Sequence, residues 1–435
     1  MAENLAAEFE QTILAQRLMA LDAKWADEVV FPYYEGLSIR NLAHTIIKLL
    51  ESRPSVGRLG SAPLDKRLWE PYWGTTKRVI LFISDGLGWR LLQDVMAADA
   101  ITAQVVADLV GEGTLTPITS VTPSTTAAAL PSIWTGASPA ATGMVGTRLF
   151  LREFSLLADM LHYWPVVGKH RAEILEEWGL DFATFMPVAT LAEALSEYHV
   201  PTTVLLEKSL FGSGLSRIMH RGIRQAVRHF GYTDLWITLR ELLRETRGQK
   251  CLVHVYWAAV DGISHLYGTV SEQSITEIRR QLTDLRDMLL LENGVGDGHT
   301  LLMFAADHGH SPVPDYINVM DHKPLADMLR SGLGGDGRFA HLYLRHDSRS
   351  QAIDYIQTRL AKRALAFDPA DALKAGLFGS ETPHPETPAR LGDLTVLLRE
   401  GAVIADRPSS QWTTVSRHAG MSEREMLVPL MMRLL

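Results

Sequence analysis

Three short apolar runs, each ending in an aspartate-bearing turn, set the pattern of the chain. They are Arg78–Ser84 before Asp85-Gly86, Cys251–Tyr256 shortly before Asp261-Gly-Ile-Ser-His265, and Thr300–Ala305 before Asp307-His308-Gly309. Runs this short, bounded by turn residues, predict buried strands. Further strands are predicted at Thr114–Thr119, Thr202–Leu206, Phe339–Leu344 and Leu394–Leu398. Helical spacing runs through Leu5–Leu21 and through Leu42, Ile46, Ile47 and Leu50, where Pro54 closes the pattern. A helix to about Met96 follows the first strand, and another spans Ala352–Lys362. Ser274 and Glu277 match a capping box, opening a helix whose apolar face is Ile275, Ile278, Leu282 and Leu285.

Strands alternating with helices predict an α/β fold, a mostly parallel sheet with helices on both faces. Residues 1–75 read as a helical N-terminal extension and 76–435 as the main domain. The rhythm breaks at about 147–250 and 320–410, which read as inserted smaller regions.

At 435 residues, 46% hydrophobic and 21% charged, the chain can bury one large core. Its formal net charge of −8 argues against a nucleic-acid polymer or an anionic membrane as partner. The single cysteine, Cys251, excludes an intramolecular disulfide framework and reads as a buried structural thiol. The first ten residues are acidic and lack an apolar core, and no apolar run reaches the roughly 20 residues that span a bilayer. A cytoplasmic address is the expectation, with the oligomeric state open.

In a parallel sheet all strand carboxyl ends share one edge, where ligands bind. Asp85 alone reads as a turn aspartate, and Asp261 with His265 as an ordinary polar pair. Four-residue spacing nevertheless lets that pair face one point on a helix. Asp307 and His308 directly after an apolar run are more telling, because burying both is costly unless something satisfies them. His310 reads as a supporting group at most. Thr125-Thr126-Ala-Ala-Ala-Leu130 resembles a helix amino terminus, suited either to plain capping or to an anion. Gathered together, these carboxylates and imidazoles suit divalent metal.

The order of motifs resembles the alkaline phosphatase superfamily, and within it the type I phosphodiesterase/nucleotide pyrophosphatase family. Ser84-Asp85-Gly86 is similar to the family's first metal aspartate. Pro123-Ser-Thr-Thr126, ten residues before Gly136, resembles the nucleophile segment, with Thr126 on the nucleophile. Asp261-Gly-Ile-Ser264-His265, Asp307-His308-Gly309 and His418-Ala-Gly420 resemble the remaining metal motifs, Ser264 replacing a glycine. The resemblance covers about residues 75–320 and the His418 segment.

It implies two divalent ions, zinc or manganese. Asp261, His265 and His418 would hold one; Asp85, Asp307, His308 and the Thr126 oxygen would hold the other. The implied activity is hydrolysis of a small phosphoric ester, as a phosphodiesterase or nucleotide pyrophosphatase, through a covalent phosphothreonine. Phosphomonoesterase, phosphonate hydrolase and phosphomutase chemistry fit the same site, and a metal-stabilised binding protein without turnover is the reading of another class. Ala129 stands where the resemblance leads one to expect an asparagine, and Thr142 where it leads one to expect a histidine. Lys208 and Arg338 are the basic candidates for substrate binding; Phe154, Trp164, Phe211 and Tyr256 read first as core packing and otherwise as an aromatic face for a planar group.

Overall fold

The computed structural model describes residues 2–18, 23–51, 61–168, 171, 174–291, 295–408, 410 and 413–435. Among the described residues nine strands precede residue 306: β1 (Arg78–Ser84), β2 (Thr114–Thr119), β3 (Arg148–Leu151), β4 (Leu156–Asp159), β5 (Trp164–Pro165), β6 (Thr202–Glu207), β7 (Gln225–His229), β8 (Cys251–Trp257) and β9 (Thr300–Ala305). Nine follow: β10 (Ser311–Pro312), β11 (Asp315–Asn318), β12 (Gly334–Asp336), β13 (Phe339–Leu342), β14 (Ala364–Phe367), β15 (Leu394–Leu398), β16 (Ala402–Ala405), β17 (Ser416–Arg417) and β18 (Leu427–Leu434).

The fold is α/β. Its central sheet has the order β2-β18-β9-β1-β8-β6-β7. Only β18 runs against its neighbours β2 and β9; the other pairings are parallel. β1, β8 and β9 are buried at every position, as strands covered on both faces must be. Register is what aligns the chemistry. Ile83 pairs with Ala305 and Ser84 with Trp257, so Asp85, Asp307 and the start of the Asp261 turn leave the sheet at one level.

A second seven-stranded sheet, β14-β15-β13-β12-β3-β4-β5, is antiparallel throughout. It joins residues 148–165 to residues 334–398, so the two stretches where the rhythm breaks build one structure. β6 and β7, inside the 147–250 stretch, belong instead to the central sheet. Local periodicity shows that a strand exists, but not which distant strand it joins.

The helices Ala2–Ala15 and Asn41–Leu50 place Phe9, Ile13, Leu42 and Ile46 in the same hydrophobic core as β1 and β9. Leu21 and Pro54 lie outside the described residues. A smaller core, including Ile317, Leu342, Ile356 and Val396, underlies part of the second sheet. The helix expected to open at Ser274 begins at Glu272 instead. Ser271 is its cap, its hydroxyl accepting from the Ser274 N–H at 3.1 Å, because a serine before an acidic first turn serves better than one within it. Cys251 is buried and unbridged. Among the described residues no helix is long and apolar enough to cross a membrane.

Candidate active site

Each site residue is set by the end of a strand or the start of a helix. Asp85 follows β1, and Gly86 turns the chain at φ +76°. A Cβ at Gly86 would stand 2.9 Å from the Asp261 Cα, so only glycine permits this approach. The Gly86 N–H donates to Asp307 Oδ1 at 3.1 Å, locking the two aspartate turns together. The helix Ala259–Tyr267 carries Asp261 and His265 one turn apart, with Nε2 3.3 Å from Asp261 Oδ1. β10 pairs with β17, Ser311 opposite Arg417, which brings His418 back beside His310. The Ala419 N–H donates to the Ser124 carbonyl at 2.8 Å, tying the His418 segment to the threonine turn. Thr126 opens the helix Thr126–Thr135, whose first amides lack intrahelical partners and whose positive dipole end faces the same edge.

The seven residues expected to gather do so. Asp85, Asp307 and His308 form one trio with donor atoms within 4.8 Å of one another, and Asp261, His265 and His418 form a second. Thr126 Oγ1 lies 3.0 Å from His308 Nε2, which is itself 3.4 Å from Asp85 Oδ1 and 3.4 Å from Asp307 Oδ2. His418 Nε2 is 3.7 Å from Asp261 Oδ1, and its ring stacks on that of His308 at 3.9 Å.

Two groups that sequence reasoning undervalued complete the cluster. His310 Nε2 lies 2.8 Å from Asp261 Oδ1, and a third trio of donors joins Asp261, His308 and His310. The signal was the two-residue interval from His308, which puts both side chains on one side of extended backbone. The Tyr256 hydroxyl donates to Asp85 Oδ2, reaching in from β8 rather than forming an aromatic face.

The electrostatics are those of a largely buried anionic pocket. Burial pushes the Asp85 carboxyl well above its usual range, and the nearby Asp307 and Asp261 charges push it further. Burial opposes ionisation of Asp261 too, but the imidazoles of His265, His310 and His418 outweigh it and hold that carboxyl well below its usual range. Burial lowers His265 to about 4 and drives His418 well below its ordinary value, with His308 adding to the second shift. Both rings are therefore neutral at neutral pH, with lone pairs available. Asp85 Oδ1, Asp307 Oδ2 and His418 Nδ1 are buried without a hydrogen-bond partner. Unsatisfied buried oxygens beside neutral imidazoles suit a divalent cation.

The basic candidates fare otherwise. Arg338 is 0% exposed and pairs through two bonds, 2.5 and 2.8 Å, with Glu425. Glu425 in turn accepts from the Gly420 N–H and the Ser422 hydroxyl. Arg338 thus braces the segment after His418 instead of meeting substrate, because a buried guanidinium must be paired. Lys208 is exposed, with its ammonium over the Phe230 ring at 4.7 Å. Ala129 is fully buried, whereas Leu130, one turn on from Thr126, lines the cavity at the site. The asparagine expected at position 129 would therefore not face the reaction centre. That cavity, of about 220 Å³, opens on Thr126, Asp85 and Asp261. A larger one, about 600 Å³, lies elsewhere, between the N-terminal helix and residues 398–424, and touches none of the three carboxylate and imidazole trios.

The family model for type I phosphodiesterase/nucleotide pyrophosphatase matches residues 79–422. Murine ectonucleotide pyrophosphatase/phosphodiesterase 5 superposes with a TM-score of 0.59 at 13% identity, over 81% of this chain and 87% of that one. Phosphonoacetate hydrolase from Sinorhizobium meliloti 1021, in complex with phosphonoformate, also gives 0.59, at 18% identity, over 82% and 90%. At such identities these likenesses speak for the fold alone. No curated protein matches the sequence.

Proposed function

The chain belongs to the type I phosphodiesterase/nucleotide pyrophosphatase family, and from that premise we propose that it is a two-metal hydrolase of phosphoric diesters working through a phosphorylated Thr126. The observation that carries this reading is the Thr126 hydroxyl beside two trios of carboxylate and imidazole donors, with three buried donor atoms unpartnered. Asp261, His265 and His418 would hold one cation. Asp85, Asp307, His308 and the Thr126 oxygen would hold the other, the mixed donor set suiting zinc, with manganese as the alternative. Bound there, the ions supply positive charge that lowers the hydroxyl's pKa and offsets charge building on phosphoryl oxygens.

The protein's own groups do the rest. Thr126 Oγ1 attacks phosphorus, its proton passing to solvent. The bond from phosphorus to the leaving oxygen breaks, and that oxygen departs with the electron pair. Water then cleaves the phosphothreonine and restores the hydroxyl. The unpartnered amides at the start of the helix Thr126–Thr135 face the phosphoryl oxygens and offset their charge. The Tyr256 hydroxyl and the Gly86 amide hold Asp85 and Asp307 in place. An inactive threonine-to-alanine variant of the murine relative has been captured with AMP, which supports a catalytic threonine and a phosphate-ester substrate.

Substituting Thr126→Ala tests the proposal. Turnover of bis(p-nitrophenyl) phosphate is expected to fall by roughly 10³-fold or more, while metal content by elemental analysis stays at the wild-type level. Unchanged turnover would overturn the threonine's role. Wild-type protein that binds metal but turns over neither diesters, monoesters nor phosphonates would show a binding protein instead.

A further inference from the structure

The cavity at Thr126 has walls of an unusual kind for a site that handles phosphate. Leu130 and Trp134 form one side, from the helix that Thr126 opens, and Leu206, Leu210, Leu215 and Met219 form the other. Among the described residues its lining holds neither lysine nor arginine; the only carboxylates are Asp85 and Asp261 of the metal-binding trios. Its serines are engaged within the protein, Ser209 donating to Glu207 and Ser213 to Ser216.

A fully enclosed polar side chain in this wall has no hydrogen-bond partner. His254 is 2% exposed, its ring edge-on to Trp134 at 4.8 Å, and neither ring nitrogen makes a hydrogen bond. On β8 it stands two residues before Tyr256, so both side chains project to the cavity face of the strand. An unpaired buried imidazole costs free energy, and a ligand atom that pairs with it regains that cost.

We propose that this cavity receives an uncharged, ring-sized apolar substituent of the phosphoric ester, one polar atom of which hydrogen-bonds His254. The inference rests on the hydrolase reading and narrows its substrate class to aryl or benzyl-type esters bearing a hydroxyl or carbonyl. Size agrees: an apolar cavity of about 150 Å³ accommodates benzene, and this one measures about 220 Å³. Charge agrees as well. A second phosphate or a carboxylate would enter beside Asp85 and Asp261 without a lysine or arginine to meet it. Burial holds His254 near 3 and His220 near 4, so neither supplies positive charge at neutral pH. The third imidazole in the wall, His162, is raised by its bond to Asp159 Oδ1 at 3.0 Å, and that carboxylate offsets its charge. A nucleobase presents several polar edges to a wall whose exposed surface is mainly hydrocarbon.

Two measurements test it. Full-length Thr126→Ala protein is titrated calorimetrically with p-cresol, alone and with His254→Phe, His254→Gln or Leu210→Lys added. Binding is expected for the parent, at least tenfold weaker with His254→Phe, partly restored with His254→Gln and weakened by Leu210→Lys. In parallel, wild-type kcat/KM for p-nitrophenyl phenyl phosphate should exceed that for thymidine 5′-monophosphate p-nitrophenyl ester at least tenfold. A preference for the nucleotide ester, or cresol binding indifferent to both His254→Phe and Leu210→Lys, overturns the proposal. Cresol binding that depends on His254 without turnover of any ester would sink the hydrolase reading while leaving the pocket's preference for a neutral ring standing.

Discussion

His310 shows how much one side chain can do without being in the recognisable motif. Its Nε2 touches Asp261 at 2.8 Å while Nδ1 meets the Ser416 hydroxyl at 3.1 Å, so it links a carboxylate of the candidate metal site to the strand that delivers His418. Replacing His310 with Ala should weaken metal binding by about 10–100-fold, the usual range for groups that orient ligands, with circular dichroism unchanged. Competition with a chromophoric chelator measures it, and wild-type affinity in the variant would make His310 a bystander. Arg338 is the opposite case, a residue that looks available in the sequence and is committed in the fold. Substituting Arg338→Ala leaves the Glu425 carboxylate buried without its partner; Glu425 is held below its usual range against burial chiefly by that guanidinium. A loss of about 3–5 kcal/mol in urea unfolding is expected. A loss under 1 kcal/mol would show that Gly420 and Ser422 suffice to satisfy Glu425.

Among the elements, the loops after β1 and β9 decide whether the site can close. A Cβ at Gly309 would lie 2.0 Å from the Arg424 carbonyl, a backbone atom that cannot swing aside. Gly309→Ala must therefore displace either the Asp307-His308 turn or the segment that follows His418. Both activity and stability should fall, by at least about 1 kcal/mol in stability, and a variant with wild-type thermal unfolding and turnover would contradict the packing. The elements also show where local reading stops. Thr300–Ala305 and Leu394–Leu398 were legible as strands because short β-rich runs end in turn residues. Pairing β3 with β12, across more than 180 residues, was not, because neither strand's sequence encodes its partner. The cap at Ser271 was missed by one helical turn, since several serines there offer the same chemistry.

For the molecule as a whole, buried imidazoles outside the candidate metal site predict an acid limit to stability. Burial lowers His220 to about 4, His254 to about 3 and His341 to about 4, against about 6.5 in the unfolded chain. Below that value the unfolded state binds more protons than the folded one, so stability is full above about pH 6.5 and falls as pH drops towards 4. Each group contributes up to about 1.4 kcal/mol per pH unit in that window. His341 sits on β13, its Nε2 donating to the Val145 carbonyl at 2.7 Å. His341→Gln should therefore flatten the acid slope of the metal-free protein's melting temperature. An equal slope in wild type and variant would mean that the ring already titrates normally in the fold.

The sequence by itself determined the strand ends, the donor types and their order, because these follow from local periodicity and from chemistry that few residues can perform. Asp307 and His308 were readable in that way, whereas Asp85, Thr126, Asp261, His265 and His418 were named as a set only through the order of motifs that resembles the family. Tertiary structure alone decided that β1, β8 and β9 align so as to bring those ends to one level, that Arg338 serves Glu425, and that His254 ends up unpaired in an apolar wall. The physical reason is that register, burial and pairing are set by contacts between segments far apart in the chain, which no single stretch of residues contains.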